Sequence, residues 1–282
     1  MEKSIRKKFW IFALPTMAAF TIGFIVPFVY GIFLSFCKFS TVTDWKWVGF
    51  KNYTRIFVVN GSVDTTFIHS IWYTALFTVV SVLIINIVSF AIAMALTKGI
   101  RGTNLFRTVF FLPNLIGGIV LSYVWLMIFN SILQNYSKTI VSSEWSAFWG
   151  LIAVVCWQQI GYMMIIYIAG MQSLPTDVLE AASVDGANGT QTMFKIIIPL
   201  TLSGIISGII MVFVPALTSF VISDLLGGGK VLLIGNVIEQ EFMQGTKWNL
   251  GSGLSVVLMI FVIASMALMN IFDKDGGGTA VW

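Results

Sequence analysis

The feature that most limits what this chain can fold into is a set of six long apolar runs with no charged residue at their centres. They are Phe9 to about Phe36, Ser70 to Thr97, Thr108 to Leu133, Phe148 to Met171, Pro199 to Ser223, and Gly251 to Phe272. A helix needs about 20 mostly apolar residues to cross a hydrocarbon layer, so each run is a candidate span. Inside hydrocarbon, helices and closed barrels alone pair all their backbone groups, and runs of this length favour helices. The expectation is therefore an all-α membrane protein with six transmembrane helices, forming one domain over residues 1–282. Composition agrees, since 57% of the 282 residues are hydrophobic and 10% are charged, against about 25% charged in soluble domains.

Lys and Arg sit at the edges of the apolar runs, a pattern suited to lipid headgroups and not to nucleic acid. Lys3, Arg6, Lys7 and Lys8 precede the first run, which is too long for a signal core and lacks a small-residue cleavage site. A short basic loop with Lys98, Arg101 and Arg107 follows the second. Both belong inside, so alternation puts both termini in the cytoplasm and places Lys38–His69, Gln134–Ala147 and Asp224–Leu250 outside. Pro15, Pro27 and Pro215 are expected to kink their spans, and Gly204 and Gly208 form a GxxxG face. Gly227, Gly228 and Gly229 read as a hinge in the last outer loop.

Much chemistry is excluded by what is missing. Intramembrane charges mark proton relays and ion coupling, so their absence argues against an ion-coupled carrier. His69 is the single histidine, which leaves a Ser-His-Asp triad or a histidine metal site without parts. Cys37 and Cys156 form no CxxC pair and read as two buried thiols. Gly227-Gly228-Gly229-Lys230 lacks the spacing of a phosphate-binding loop, so any ATP is bound by another subunit. No cofactor is implied. The polar residues within the spans are uncharged: Asn86, Asn114, Tyr123, Asn130, Gln158, Gln159, Tyr162 and Tyr167, with Trp125 and Trp157. Amides beside rings suit a polar-solute path, whereas any one of them serves as readily to glue helices together. Asn114 stands out because Pro113 and the Gly117-Gly118 pair flank it, and a broken helix there would expose backbone to a cavity.

Residues 174–199 are a polar island between the fourth and fifth runs. Asp177 followed by Glu180 reads as a helix start with an aspartate cap, Gly186 as its stop, and Asn188 with Gln191 as a second start. Val178, Ala181 and Ala182 would offer a smooth face to another protein, and Pro199 a rigid link into the fifth span.

The spacing Glu180-Ala181-Ala182, Gly186, Ile196 and Ile198-Pro199 resembles the EAA signature of permease subunits of binding-protein-dependent ABC importers, with Ile198 where leucine is usual. The resemblance implies a MetI-like permease fold in the bacterial plasma membrane. It further implies a second permease, two ATP-binding subunits, an extracytoplasmic solute-binding protein and surrounding lipid as partners. Glu180, Ala181, Ala182, Asp185, Gly186 and Pro199 become the residues that couple to the ATPase. The resemblance also divides. Up to about residue 190, through Trp47 to Tyr53, Phe110 to Asn114 and Trp157 to Met164, the chain looks like maltose-type sugar permeases. From Ile196 on, through Val214-Pro215-Ala216, Ser223 to Lys230 and Leu233 to Ile238, it looks like spermidine/putrescine permeases. A sugar suits Asn114, Tyr123, Gln158 and Tyr162. A polyamine would need acidic partners, for which Asp224, Glu239 and Glu241 are the candidates.

Overall fold

The computed structural model describes residues 13–59, 62–63, 65–243 and 247–272. The expected cytoplasmic termini, residues 1–12 and 273–282, lie outside the described residues. The rest is largely helical. Four helices are each long and apolar enough to span a membrane: α1 (Ala13–Ser35), α3 (Thr65–Thr97), α6 (Glu144–Gln172) and α12 (Trp248–Phe272). Two bent pairs pass the same test together, which brings the number to six. In the first, Thr103–Leu115 meets α5 (Gly118–Gln134) at 99°, and in the second, α8 (Gly189–Leu200) meets α9 at 71°. Helix α4 (Thr103–Phe111) opens the first pair, and α9 runs from Leu202 to Leu217.

Pro27, Pro113 and Pro199 act in two different ways. Pro27 lies within the continuous helix α1, where Thr21–Ile25 form a wider π-type turn and the Val26 N–H reaches back to the Thr21 carbonyl. Pro199 is preceded in the same way, with a wide turn over Met193–Ile197 and the Ile198 N–H on the Met193 carbonyl. In both, the wider turn makes room for a ring that would otherwise strike the carbonyl four residues back. Pro113 breaks its span outright. It sits in a tight 3-10 turn (Leu112–Leu115), after which Ile116 is extended and Gly117 leads into α5. The expected rigid link at Pro199 is instead followed by a bend at Thr201, whose hydroxyl donates to the Ile197 carbonyl at 2.7 Å.

By their contacts the described residues form two compact units. One comprises those within Met1–Phe67 and Val237–Ile260. Here the expected irregular connection contains an antiparallel hairpin, β1 (Cys37–Thr41) with β2 (Asp44–Trp47), then α2 (Lys51–Phe57) and a small second hairpin, β3 (Val58–Val59) with β4 (Ser62–Val63). Asn52, almost fully buried, donates to the Ser35 and Cys37 carbonyls at 2.8 Å each and accepts from Asn249 of α12 at 2.8 Å. Cys37 is fully buried, as expected, and burial pushes its thiol above the usual range.

The other unit comprises the described residues within Ile68–Asn236 and Phe261–Trp282, and α6 is its axis. Buried Phe148, Leu151, Met163, Met164 and Tyr167 of α6 pack with Phe77 and Ile85 of α3 and Val212 of α9. Cys156 is also a free, buried thiol in this core. Helix α6 starts four residues earlier than the apolar run does, because Ser143 and Ser146 form a reciprocal cap. Gly161 is where α6 touches α4 backbone to backbone, since a Cβ there would lie 1.8 Å from the Phe110 carbonyl oxygen. Of the GxxxG pair, Gly208 packs against Met163 and Tyr167 of α6, while Gly204 faces open space. The last outer segment is structured as well. Helix α10 (Val221–Gly227) ends at Gly228 and Gly229, both left-handed at φ +50° and +76°, and α11 (Ile234–Met243) follows. The glycines expected as a hinge form the turn that ends α10, and at Gly228 a Cβ would lie 2.7 Å from Val141.

Gly161→Leu is expected to cost more than the roughly 1–3 kcal/mol of ordinary overpacking, because the opposing atom is backbone and cannot rotate away. A sharp drop in melting temperature in detergent checks this, with Gly204→Ala expected to leave it unchanged or slightly raised.

Candidate functional site

The polar island folds into helix α7 (Thr176–Val184), a glycine turn, and α8. Pro175, fixed at φ −60°, occupies the N-cap position and supplies no side-chain cap. Asp177 is thus the second residue of the helix, two positions past the cap, where its charge faces the positive helix end but does not cap it, correcting the sequence expectation. The stop at Gly186 is as expected. Its N–H donates to the Ser183 carbonyl at 3.1 Å, the Ala187 N–H donates to Ala182 at 2.9 Å, and Gly186 itself has φ +77°. This is the paired arrangement of a Schellman turn, which closes orphan carbonyls through a left-handed residue. No atom lies within 4 Å of where a Cβ would sit, so glycine is required here by backbone conformation and not by space. Asn188 and Gln191 form the second start reciprocally, at 2.8 and 2.9 Å.

The faces of α7 are unequal. Ala182 is turned into the protein at 6% exposure, whereas Glu180, Ala181 and Asp185 are exposed and Val184 stands out at 87%. The free face is therefore Val178, Ala181 and Val184 bordered by Glu180 and Asp185, with Ala182 a packing residue. Pro199, also exposed, lies just before the bend.

A cavity of about 130 Å³ lies within the same unit. Gln158, Gln159 and Ser219 give it a polar side, and Ile85, Val155, Val212, Pro215, Ala216 and Ile222 line the rest. Its position follows from the broken spans. α6 contributes the two glutamines, and α9 ends two residues after Pro215, so that Ser219 falls in the break before α10. Gln158 also donates to the Ile116 carbonyl at 3.1 Å, closing one of the backbone groups freed by the Pro113 break. No formal charge lines this cavity, so it suits a neutral polar solute through amide and hydroxyl contacts.

Among the polar span residues expected from sequence, the structure brings Gln158 and Gln159 to this cavity. Asn114 is half-buried in the 3-10 turn at the broken span, Tyr123 is exposed on α5, and Tyr162 lies partly exposed on α6. Asp224 is exposed in the first turn of α10. Asn86 and Asn130 act as glue. The Tyr167 hydroxyl donates to the Asn86 amide oxygen, and Asn130 accepts from the Ile140 N–H at 2.9 Å. Asn86 and Tyr167 border a larger groove of about 490 Å³ whose other walls are apolar, which does not suit a polar solute.

Sequence reasoning overlooked Asn236. Fully buried, it accepts from the Ser223 hydroxyl at 2.6 Å and the Leu233 N–H at 3.0 Å, and donates to the Phe220 carbonyl at 2.9 Å. It thereby fixes α10 beside the cavity. A lone asparagine in a loop gives no sequence signal for such a role.

Residues 87–275 match the family model described as the binding-protein-dependent transport system inner membrane component. The chain belongs to this family. It is a multi-pass permease-family membrane protein. Among relatives, the probable starch degradation products transport system permease protein AmyD of Thermoanaerobacterium thermosulfurigenes is 32% identical over 279 residues, covering 94% of this chain and 92% of the relative. The spermidine/putrescine transport system permease protein PotB of Haemophilus influenzae is 43% identical, but over 101 residues that cover 36% and 35% of the two chains. The fold is that of a solved bacterial alginate ABC transporter in complex with an alginate pentasaccharide-bound periplasmic protein. Its matching chain has a TM-score of 0.81 at 18% identity, with 100% of this chain and 99% of that one covered.

Two outcomes follow for this permease. Gly186→Ala should weaken the turn by about 1–2 kcal/mol through the left-handed strain alone, read as faster hydrogen exchange at the Gly186 and Ala187 amides. Asn236→Ala strands the Leu233 N–H in a buried place, at about 1–3 kcal/mol, while the Ser223 hydroxyl keeps the Phe220 carbonyl at 2.9 Å; lowered thermal stability and faster proteolysis near Phe220 are the readouts.

Proposed function

We propose that this permease is a subunit of an ATP-driven importer in the plasma membrane, supplied by an extracytoplasmic solute-binding protein and carrying a sugar or oligosaccharide. A second permease and two ATP-binding subunits complete the assembly, and ATP is hydrolysed on the latter. The observation that carries the cargo reading is likeness along 94% of the chain to a permease named for starch degradation products. The uncharged amide side of the cavity supports the same reading, because a polyamine would call for carboxylates there and it has none.

A mechanism follows from the connections. The ATPase engages the free face of α7. Its motion passes through the Gly186 turn and α8 to the bend at Thr201, and so to α9. Helix α9 packs on α6 through Gly208 against Met163 and Tyr167. α9 and α6 also supply opposing walls of the cavity, Val212, Pro215 and Ala216 on one and Val155, Gln158 and Gln159 on the other. Displacing α9 along α6 changes that cavity, which alternates access without any charge moving through the membrane.

The test is uptake into proteoliposomes containing this chain with its partner subunits and binding protein, offered labelled maltooligosaccharide or spermidine. ATP-dependent saccharide uptake is expected, and Glu180→Lys or Gly186→Pro should reduce it at least about tenfold, a loss of roughly 1.4 kcal/mol or more in coupling. Uptake that persists without ATP and ignores both substitutions would mean a channel or an ion-coupled carrier. Spermidine uptake abolished by Asp224→Asn would instead establish the polyamine reading that the PotB likeness suggests.

A further inference from the structure

The groove of about 490 Å³ beside Asn86 and Tyr167 takes no part in the path of a polar solute, and it lies wholly within the unit built around α6. Along α3 it is lined by Val82, Asn86, Phe90 and Met94, which at intervals of four lie in a row on one helix face. Opposite stand Phe194 and Ile198 of α8 and Ile205 and Ile209 of α9. α3 runs through without a break, whereas α8 and α9 meet at 71°. A straight rod cannot follow a bent partner along its whole length, and the groove is the gap between them. Its two polar residues are closed on themselves. The Asn86 amide oxygen accepts from the Tyr167 hydroxyl, and the amide nitrogen donates to the Val82 carbonyl at 2.7 Å. An occupant therefore finds an apolar trough, with Ile87 and Phe194 lining it at 66% and 60% exposure.

Its dimensions narrow the choice of occupant. From Val82 to Met94 the row is about 18 Å long at about 1.5 Å per residue, close to the roughly 15 Å that one leaflet gives to the hydrocarbon core. The row begins at the middle of α3 and stops one turn short of its end, so it spans the leaflet on the α7 side. Spread over that length, 490 Å³ is a cross-section of about 27 Å². A helix about 10 Å across needs about 80 Å², so a neighbouring helix would enter with side-chain tips alone. The bore is that of a single hydrocarbon chain. Charge marks the same end of the groove from both walls. Lys98 is the next residue in the row, four past Met94, and its N–H reaches the Ala95 carbonyl at 3.3 Å, so the helical path continues to it. Lys195 directly follows Phe194 and precedes Ile198 by three. Both lysines are exposed. Residues 65–143 and 186–223 contain no Asp or Glu, so neither lysine has a carboxylate on its own helix.

We propose that this groove binds one anionic phospholipid of the α7-side leaflet, with an acyl chain lying along Val82, Asn86, Phe90 and Met94 and the headgroup phosphate held by Lys98 and Lys195. Long lysine stems lie along apolar surface while their ammonium heads reach headgroup depth, and an anionic headgroup gains from both cations. Phosphatidylglycerol is favoured over phosphatidylcholine, whose choline brings a positive charge towards the same two lysines. Seated there, the chain touches α3 and both arms of the α8–α9 bend. The site depends on the spans and not on the cargo.

The experiment places the complete transporter in phosphatidylcholine nanodiscs that carry a trace of a photoreactive lipid. Two probes are compared, phosphatidylglycerol and phosphatidylcholine with the same diazirine-bearing acyl chain, and labelled residues are mapped by peptide mass spectrometry. Label on α12 in the same digest normalises each sample. Each lysine beside an anionic lipid is worth about a fivefold preference, so phosphatidylglycerol should label residues 82–94 and 194–209 at least roughly tenfold more than phosphatidylcholine does. Lys98→Gln/Lys195→Gln should bring the two probes to equal labelling, and Lys98→Arg/Lys195→Arg, which keeps the charge, should retain the preference. Ile87→Trp/Ile209→Trp fills the groove and should lower labelling by both probes. Equal labelling of residues 82–94 by the two probes in the wild type overturns the proposal, as does a preference that the glutamine pair leaves untouched. A stretch left unlabelled in the complete transporter also overturns it, and a chemical cross-link from Ile87→Cys to another subunit would then identify a protein as the occupant.

Discussion

Backbone pairing inside hydrocarbon is the constraint on which the rest of this structure depends. An unpaired amide or carbonyl there costs several kcal/mol, so a chain that interrupts its spans must supply partners at each interruption. Here they come from nearby side chains. Gln158 takes up the Ile116 carbonyl at the first break, and Asn236 gathers Phe220, Ser223 and Leu233 where α10 follows α9, while at the second break the Thr201 hydroxyl adds to the bond its own N–H already makes with the Ile197 carbonyl. The breaks are what make a polar cavity available at all. An unbroken bundle would present little but side-chain tips along its length.

Helix α6 is the fixed member against which the broken spans are set. It meets α4 at Gly161 with no room for a side chain, and α9 at Gly208. It carries Gln158 three residues before Gly161, so one helix both sets the close crossing with α4 and pairs a carbonyl freed by the Pro113 break. The Tyr167 to Asn86 hydrogen bond ties the same helix to α3. Polar groups in the spans thus divide by role. Asn86, Asn130 and Tyr167 hold helices together, while Gln158 does this and also faces the cavity.

The elbow and the polar cavity share no residue and are joined through the chain. The elbow contains a left-handed glycine turn and a capped helix, each fixed by local hydrogen bonds. The chain runs on from that piece through α8 into α9, and α9 is a wall of the cavity. The outer hairpin performs another separation. A period of two sends aromatic rings to one side and cations to the other, so a single short element carries an aromatic and a charged face.

The sequence by itself determined the spans, the family signature, the Gly186 stop and the Asn188 start, because apolar length, helix capping and left-handed backbone are local properties. It also marked the Pro113 break, since a missing N–H acts on its own helix. Tertiary structure alone decided that Ala182 turns inward, that Asp177 lies past the cap, that Gly227–Gly229 form a rigid turn, and that Gln158 reaches the cavity while Asn114, Tyr123 and Tyr162 do not. It alone assigned Asn236 its place and set the row from Val82 to Met94 opposite α8 and α9. Those outcomes depend on which helix face meets which neighbour, and residues nearly 200 positions apart, such as Asn52 and Asn249, meet only once the chain has packed.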